Sequence, residues 1–120
     1  MRGYSFRRGT FLWGAVFFSL LPLSFLSLSS LSYAETVWID VRTSVEYSLD
    51  SIEGDVRISH GDIVQEASQL FPNKDTEIRL YCRSGGRAGV ALSSLKKAGY
   101  SNVSNAGGIE DARKERGLSQ

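Results

Sequence analysis

From Glu35 onward, short apolar runs alternate with amphipathic stretches. Val37-Trp38-Ile39, ending in Asp40, reads as a buried strand. Thr43 or Ser44 is placed to cap a helix carrying Val45, Glu46, Tyr47 and Leu49. Glu46 stands three residues after Thr43, the spacing of a capping box. Gly54 interrupts the pattern, and Val56-Arg57-Ile58 resumes it in extended form. Asp62 is the expected cap of a second helix, with Ile63, Val64, Ala67 and Leu70 on one face. Pro72-Asn73-Lys74-Asp75 predicts a turn, and Glu77 to Tyr81 a strand. Cys82 to Gly86 is a polar loop. Ala88, Ala91, Leu92, Leu95 and Ala98 then mark a third helix, with Gly99 at its C-terminal cap. Asn102 to Asn105 predicts a short strand, Gly107-Gly108 a turn, and Ile109 to Gln120 a last helix that frays. Alternation of this kind implies an α/β fold. Its sheet is small and mainly parallel, of about four strands, with helices on both faces. Ligands in such folds bind at the carboxyl ends of the strands, where Cys82 falls.

Residues 1–34 follow another pattern. Arg2, Arg7 and Arg8 precede an uncharged run from Phe11 to Leu31, which closes on Ser32-Tyr33-Ala34. That is the layout of an export signal cleaved after Ala34, leaving one domain over residues 35–120. The run is also long enough for a membrane anchor, but Pro22 and the serines at 19, 24, 27, 29 and 30 weaken a permanent span. The expectation is an exported chain, periplasmic where an outer membrane exists, with no stable membrane association after cleavage. Arg7-Arg8 hints at a twin-arginine signal, but the spacing to Phe11-Leu12 and the strong apolar run favour the general secretory route.

Without Arg2, Arg7 and Arg8, 11 of the chain's 14 Lys and Arg remain against 13 Asp and Glu, a net charge of about −2. This balance argues against general nucleic-acid binding, which leaves a basic footprint. The chain has one cysteine, so no internal disulfide staples the small domain. A lone thiol in an exported chain calls for a chemical role or an intermolecular bond.

The segment Tyr81-Cys82-Arg83-Ser84-Gly85-Gly86-Arg87-Ala88 supplies the chemistry. Gly85 and Gly86 let the backbone curl so that its N–H groups converge as an anion nest. The helix beyond adds its unpaired N–H groups and the positive end of its dipole. Such a setting stabilises a thiolate at Cys82. Arg83 and Arg87 add positive charge, and Arg87 has the fork geometry to grip an oxyanion. The expected site is therefore a nucleophilic sulfur beside an anion.

The run Cys82-Arg83-Ser84-Gly85-Gly86-Arg87, between an apolar strand and an alanine-rich helix, resembles the active-site loop of rhodanese domains. Asp40-Val41-Arg42 is similar to that family's Asp-x-Arg motif, and Glu46-Tyr47 to the helix after it. Ile52-Glu53-Gly54 with Ile58 resembles the Ile-Pro-Gly-Ala-x-x-Ile stretch. Gly99-Tyr100, Asn102-Val103 and Gly107-Gly108 match the family's pattern after the active-site helix. Departures are Ser51 where a His is frequent, Asp55 for Ala, Ala88 for Ser, and no Trp after Gly107-Gly108. The usual first strand and helix are also missing, as in the minimal periplasmic members. The resemblance implies sulfur transfer by double displacement, requiring neither metal nor organic cofactor. Cys82 takes sulfane sulfur from thiosulfate or a similar donor as a persulfide. It then passes the sulfur to cyanide, a small thiol or a protein thiol. Cys82 would be the nucleophile. The backbone from Arg83 through Ser84, Gly85 and Gly86 to Arg87 would bind the substrate.

Other readings remain beside this one. A free cysteine is commonly a small buried core residue, but the glycines and arginines here favour a reactive thiol. Cysteine phosphatases and arsenate reductases place five residues between Cys and Arg. Here there are four, and no histidine precedes Cys82. A non-catalytic binding or regulatory module on the same fold is the other alternative. Asp40 and Arg42 read as structural support, His60 as a surface turn residue, and Trp38 as packing.

Overall fold

The computed structural model describes residues 35–120. The expected leader over 1–34 and its cleavage after Ala34 lie outside the described residues. The elements are β1 (Val37–Asp40), α1 (Ser44–Leu49), β2 (Val56–Arg57), α2 (Ile63–Leu70), β3 (Ile78–Cys82), α3 (Gly86–Lys97), β4 (Val103–Gly108) and α4 (Ile109–Glu115). The four strands form one parallel sheet in the order β2-β1-β3-β4, as the alternating pattern predicts. No helix among the described residues is long and apolar enough to cross a membrane.

Strand side chains point alternately to opposite faces, and the two faces carry separate cores. Ile39, Ile78, Leu80 and Cys82 pack with Ile63 and Ala67 of α2 and with Ala88, Ala91 and Leu95 of α3. Trp38 and Tyr81 point the other way, against Ile109 and Ala112 of α4. Each fully buried Ile or Leu contributes about 1.5–3 kcal/mol relative to exposure, so the α2–α3 face holds most of the apolar stabilisation. Tyr100 closes that core from the loop after α3, its hydroxyl donating to Ala67 O at 3.1 Å and Phe71 O at 2.7 Å.

Two expectations need correction. Gly107-Gly108 is no turn: β4 runs through both residues, pairing Gly107 with Tyr81 and Gly108 with Cys82. A register shift between Leu80 and Tyr81 absorbs one extra residue, and Gly107 adopts φ +96°, which suits a bulge. Asp62 precedes α2 but makes no side-chain cap hydrogen bond. In α1, Val45 and Leu49 face outward, 66% and 81% exposed.

Since α1 buries none of its residues, polar contacts hold it. The expected capping box forms: Thr43 Oγ1 accepts from Glu46 N–H at 3.2 Å, and Glu46 Oε1 accepts from Thr43 N–H at 3.0 Å. At the other end of α1, Arg113 of α4 donates to the Asp50 carboxylate at 2.7 and 3.1 Å. Asp40 is fully buried, and its carboxylate accepts from Arg42 Nε at 2.9 Å, Nη2 at 2.8 Å and backbone N–H at 3.0 Å. The hydrogen bonds to Asp40 hold the Arg42 guanidinium above its usual pKa against the opposing effect of burial. Arg42 Nη2 also donates to Asp50 O, linking the end of β1 to the end of α1.

Removing one partner of a buried pair leaves an uncompensated charge and costs about 3–5 kcal/mol. Arg42→Met is therefore expected to lower the free energy of unfolding by about 3 kcal/mol. Urea unfolding of residues 35–120 checks this, and an unchanged midpoint contradicts it.

Candidate active site

Parallel pairing sets the site's position. Asp40 lies beside Tyr81 in the register, and Val41 N–H donates to Tyr81 O at 2.9 Å. The Asp40–Arg42 pair and Cys82 therefore emerge at the same edge of the sheet, the carboxyl ends of β1 and β3. Cys82 is the last residue of β3 and is 1% exposed. The chain then turns within three residues into α3, whose N-terminal boundary is Gly85 at φ +102°. That left-handed conformation favours glycine, and here it aims Gly85 N–H at Cys82 Sγ, 2.9 Å away.

The absence of side chains at Gly108 and Gly85 leaves room for the loop. A Cβ on Gly108 would overlap Arg83 O, and one on Gly85 would stand 3.3 Å from Gly107 Cα. The bulged strand β4 thus lies directly against the loop, and Asn105 secures it. Its Nδ2 donates to Gly85 O at 3.0 Å, while its Oδ1 accepts from Gly107 N–H at 2.8 Å.

Two opposing effects act on the thiol. Burial pushes its pKa up, while the backbone N–H groups of Ala88, Ser84, Gly85 and Arg87 stabilise the thiolate. The amides prevail and hold Cys82 below its ordinary value. Ala88 supplies its N–H and packs its methyl into the core.

The two loop arginines differ. Arg83 is exposed and lines a cleft of about 400 Å³ with Arg42, Glu46, Leu49, Asp50, Ile109 and Glu110. Arg87 is half-buried, and its fork is occupied: Nη1 and Nη2 donate to Glu46 Oε1 and Oε2 at 2.7 and 2.9 Å. The sequence suggested an oxyanion for Arg87, and the structure supplies one from within the chain. Hydrogen bonding from Arg87, then from Thr43 N–H, holds the Glu46 carboxyl far below the usual carboxylate range. Ser84 is exposed at the loop tip, and Gly86 opens α3. His60 sits half-buried in a turn after β2.

Several contacts left no mark in the sequence. Glu46 and Arg87 are 41 positions apart, and no local pattern joins them. Tyr81, on the opposite sheet face from Cys82, donates its hydroxyl to Asp55 at 2.6 Å, and Arg116 grips the same carboxylate at 2.7 and 3.0 Å. Burial first, then Asp55, holds the Tyr81 phenol protonated well above its usual pKa. Arg116 also lies 4.3 Å from the Trp38 ring centroid, so Trp38 packs between the sheet and the end of α4.

Comparison with known proteins places this geometry among relatives. The model of the rhodanese-like domain matches residues 27–115. The chain is 32% identical over 79 residues to the thiosulfate sulfurtransferase PspE of Escherichia coli (strain K12), covering 66% of this chain and 76% of that protein. It is 37% identical over 67 residues to the putative sulfur carrier protein YrkF of Bacillus subtilis (strain 168), covering 56% of this chain and 35% of that one. A solved structure described as a rhodanese with anions from E. coli superposes with a TM-score of 0.61 at 31% identity, covering 64% of this chain and 91% of that one.

The amide cradle predicts a pH dependence with a definite sign. A lowered pKa keeps the thiolate present above the ordinary cysteine value of about 8.5 and removes it only as pH falls through the lower folded value. Ultraviolet absorbance of the Cys82 thiolate should titrate with a midpoint below about 8.5. Gly85→Ala, strained at φ +102° and crowded by Gly107, should move that midpoint upward. A midpoint at or above the ordinary value in the unaltered protein contradicts the cradle.

Proposed function

The chain belongs to the rhodanese-like domain family, and from that premise we propose that it transfers sulfane sulfur through a persulfide on Cys82. The observation that carries the proposal is the Gly85 N–H 2.9 Å from Cys82 Sγ, with the amides of Ser84, Arg87 and Ala88 acting on the same atom. A ring of fixed donors stabilises a thiolate, and it equally suits the negative charge of a persulfide.

The reaction is a double displacement. The Cys82 thiolate attacks the outer sulfur of thiosulfate, and a sulfur–sulfur bond forms as that of the donor breaks. Sulfite leaves with the electron pair, so two negative charges on the donor leave as two on sulfite, and the cysteine's own charge moves to the persulfide. An acceptor thiolate, or cyanide, then attacks the outer sulfur. Cys82 departs as the thiolate, and the acceptor carries away the sulfur with one negative charge. No oxidant or reductant enters.

Roles follow from position. Cys82 is the nucleophile, and the backbone from Arg83 to Arg87 holds the anionic sulfur. Arg83, exposed on the cleft, meets the anionic part of the donor. The Asp40–Arg42 pair supports the edge on which the loop stands. Export belongs to the same proposal, on the strength of the basic start, uncharged run and Ser32-Tyr33-Ala34 pattern. In that setting a lone thiol serves chemistry and not stapling.

The test is the intact mass of residues 35–120 after mixing with thiosulfate, beside Cys82→Ser. The expected result is a gain of one sulfur atom, absent from the serine variant and lost on adding cyanide or a thiol. No gain on a thiol shown to be free and reduced would refute thiosulfate as donor and return weight to a binding module.

A further inference from the structure

The Glu46–Arg87 pair has consequences for donor choice. Both Glu46 oxygens face the Arg87 fork, at 2.7 and 2.9 Å, and Thr43 anchors the same carboxylate through its N–H and its hydroxyl, each 3.0 Å from Oε1. The side chains are 22% and 29% exposed, so solvent and small anions reach them. Arg87 also contributes its backbone N–H to the Cys82 cradle, and the charge of the Cys82 thiolate acts on its guanidinium. Glu46 lines the cleft that Arg83 lines. A donor entering there meets the exposed Arg83 guanidinium and the Glu46 carboxylate that holds Arg87.

We propose that Glu46 is a resident anion that competes with the donor's anionic group for Arg87 and thereby sets which donors the site accepts. The proposal rests on the persulfide reading of Cys82 and adds a specificity-determining residue to it. A dianionic donor is penalised twice, by the occupied fork and by repulsion from the Glu46 carboxylate. A donor with one fewer anionic oxygen is penalised less. Glu46 acts through Arg87 and takes no part in bond making.

Thiosulfate and methanethiosulfonate form a matched pair for the test. They present the same outer sulfur, but a methyl group replaces one anionic oxygen in the second. Glu46→Gln keeps an acceptor for Thr43 N–H and removes the charge. It should lower the KM for thiosulfate by about fivefold or more, the scale of a charge-assisted contact to a freed guanidinium. The KM for methanethiosulfonate should change by less than about twofold. Thr43→Ala, which disturbs the α1 cap but leaves the Glu46 carboxylate on Arg87, should keep the parent's ratio of the two KM values. Adding Arg87→Met to Glu46→Gln should abolish the gain. An unchanged or increased thiosulfate-to-methanethiosulfonate KM ratio in Glu46→Gln overturns the proposal, as does a gain that survives loss of Arg87.

A titration of the Cys82→Ser protein with thiosulfate, following the Arg87 guanidinium resonances by NMR, needs no change at Glu46. The resonances should shift as the donor displaces the carboxylate, and resonances that stay fixed at saturation overturn the proposal. The parent's sulfur adduct at saturating donor reports on persulfide transfer itself. An adduct with an unmoved KM ratio therefore sinks the role of Glu46 alone.

Discussion

The convergence of backbone N–H groups on one sulfur atom is the constraint around which the site is arranged. A thiol buried at the end of a strand is driven toward its neutral form, and only fixed donors can reverse that. Here the donors are main-chain amides, so the site depends on backbone path more than on side-chain identity. Gly85 must enter the left-handed region, and Gly108 must lack a side chain where β4 meets Arg83 O. Asn105 must hold Gly85 O. The bulge in β4 follows from the same requirement, because it sets Gly107 and Gly108 beside Tyr81 and Cys82.

Around this cradle, charged pairs perform work that apolar packing performs elsewhere. The short helix α1 buries nothing, yet it forms one wall of the cleft and carries Glu46. Its start is tied to the loop through Arg87, and its end to β1 through Arg42 and to α4 through Arg113. Buried pairs are poor sources of net stability, because desolvation offsets much of their attraction. Their value here is geometric: each fork fixes one direction, and together they hold a wall that has no hydrophobic anchor. The apolar core on the α2–α3 face supplies the stability that lets the opposite edge be built from polar groups.

Much of this was legible in the chain. The alternation of Val37–Ile39, Ile63–Leu70, Glu77–Tyr81 and Ala88–Ala98 gave the parallel α/β layout, because period and order are local properties. The Thr43–Glu46 capping box was readable for the same reason. Cys82 and its glycines were readable because a nest is written in consecutive residues. The long-range features could not be read. The spacing of Gly107-Gly108 suggested a turn, since nothing nearby shows that a strand partner accepts a bulge. Arg87 suggested an empty fork, since Glu46 lies 41 positions away.

The most direct test of the cradle is the amide spectrum of the ¹⁵N-labelled domain, residues 35–120, before and after Cys82 takes up one sulfur. The donors at issue are the N–H groups of Ser84, Gly85, Arg87 and Ala88. If they hold the anionic sulfur, their resonances move together to lower field on loading, while those of β2 and α2 stay in place. A loaded protein whose loop amides do not move would contradict the account, because the persulfide would then be stabilised by something other than the backbone around it.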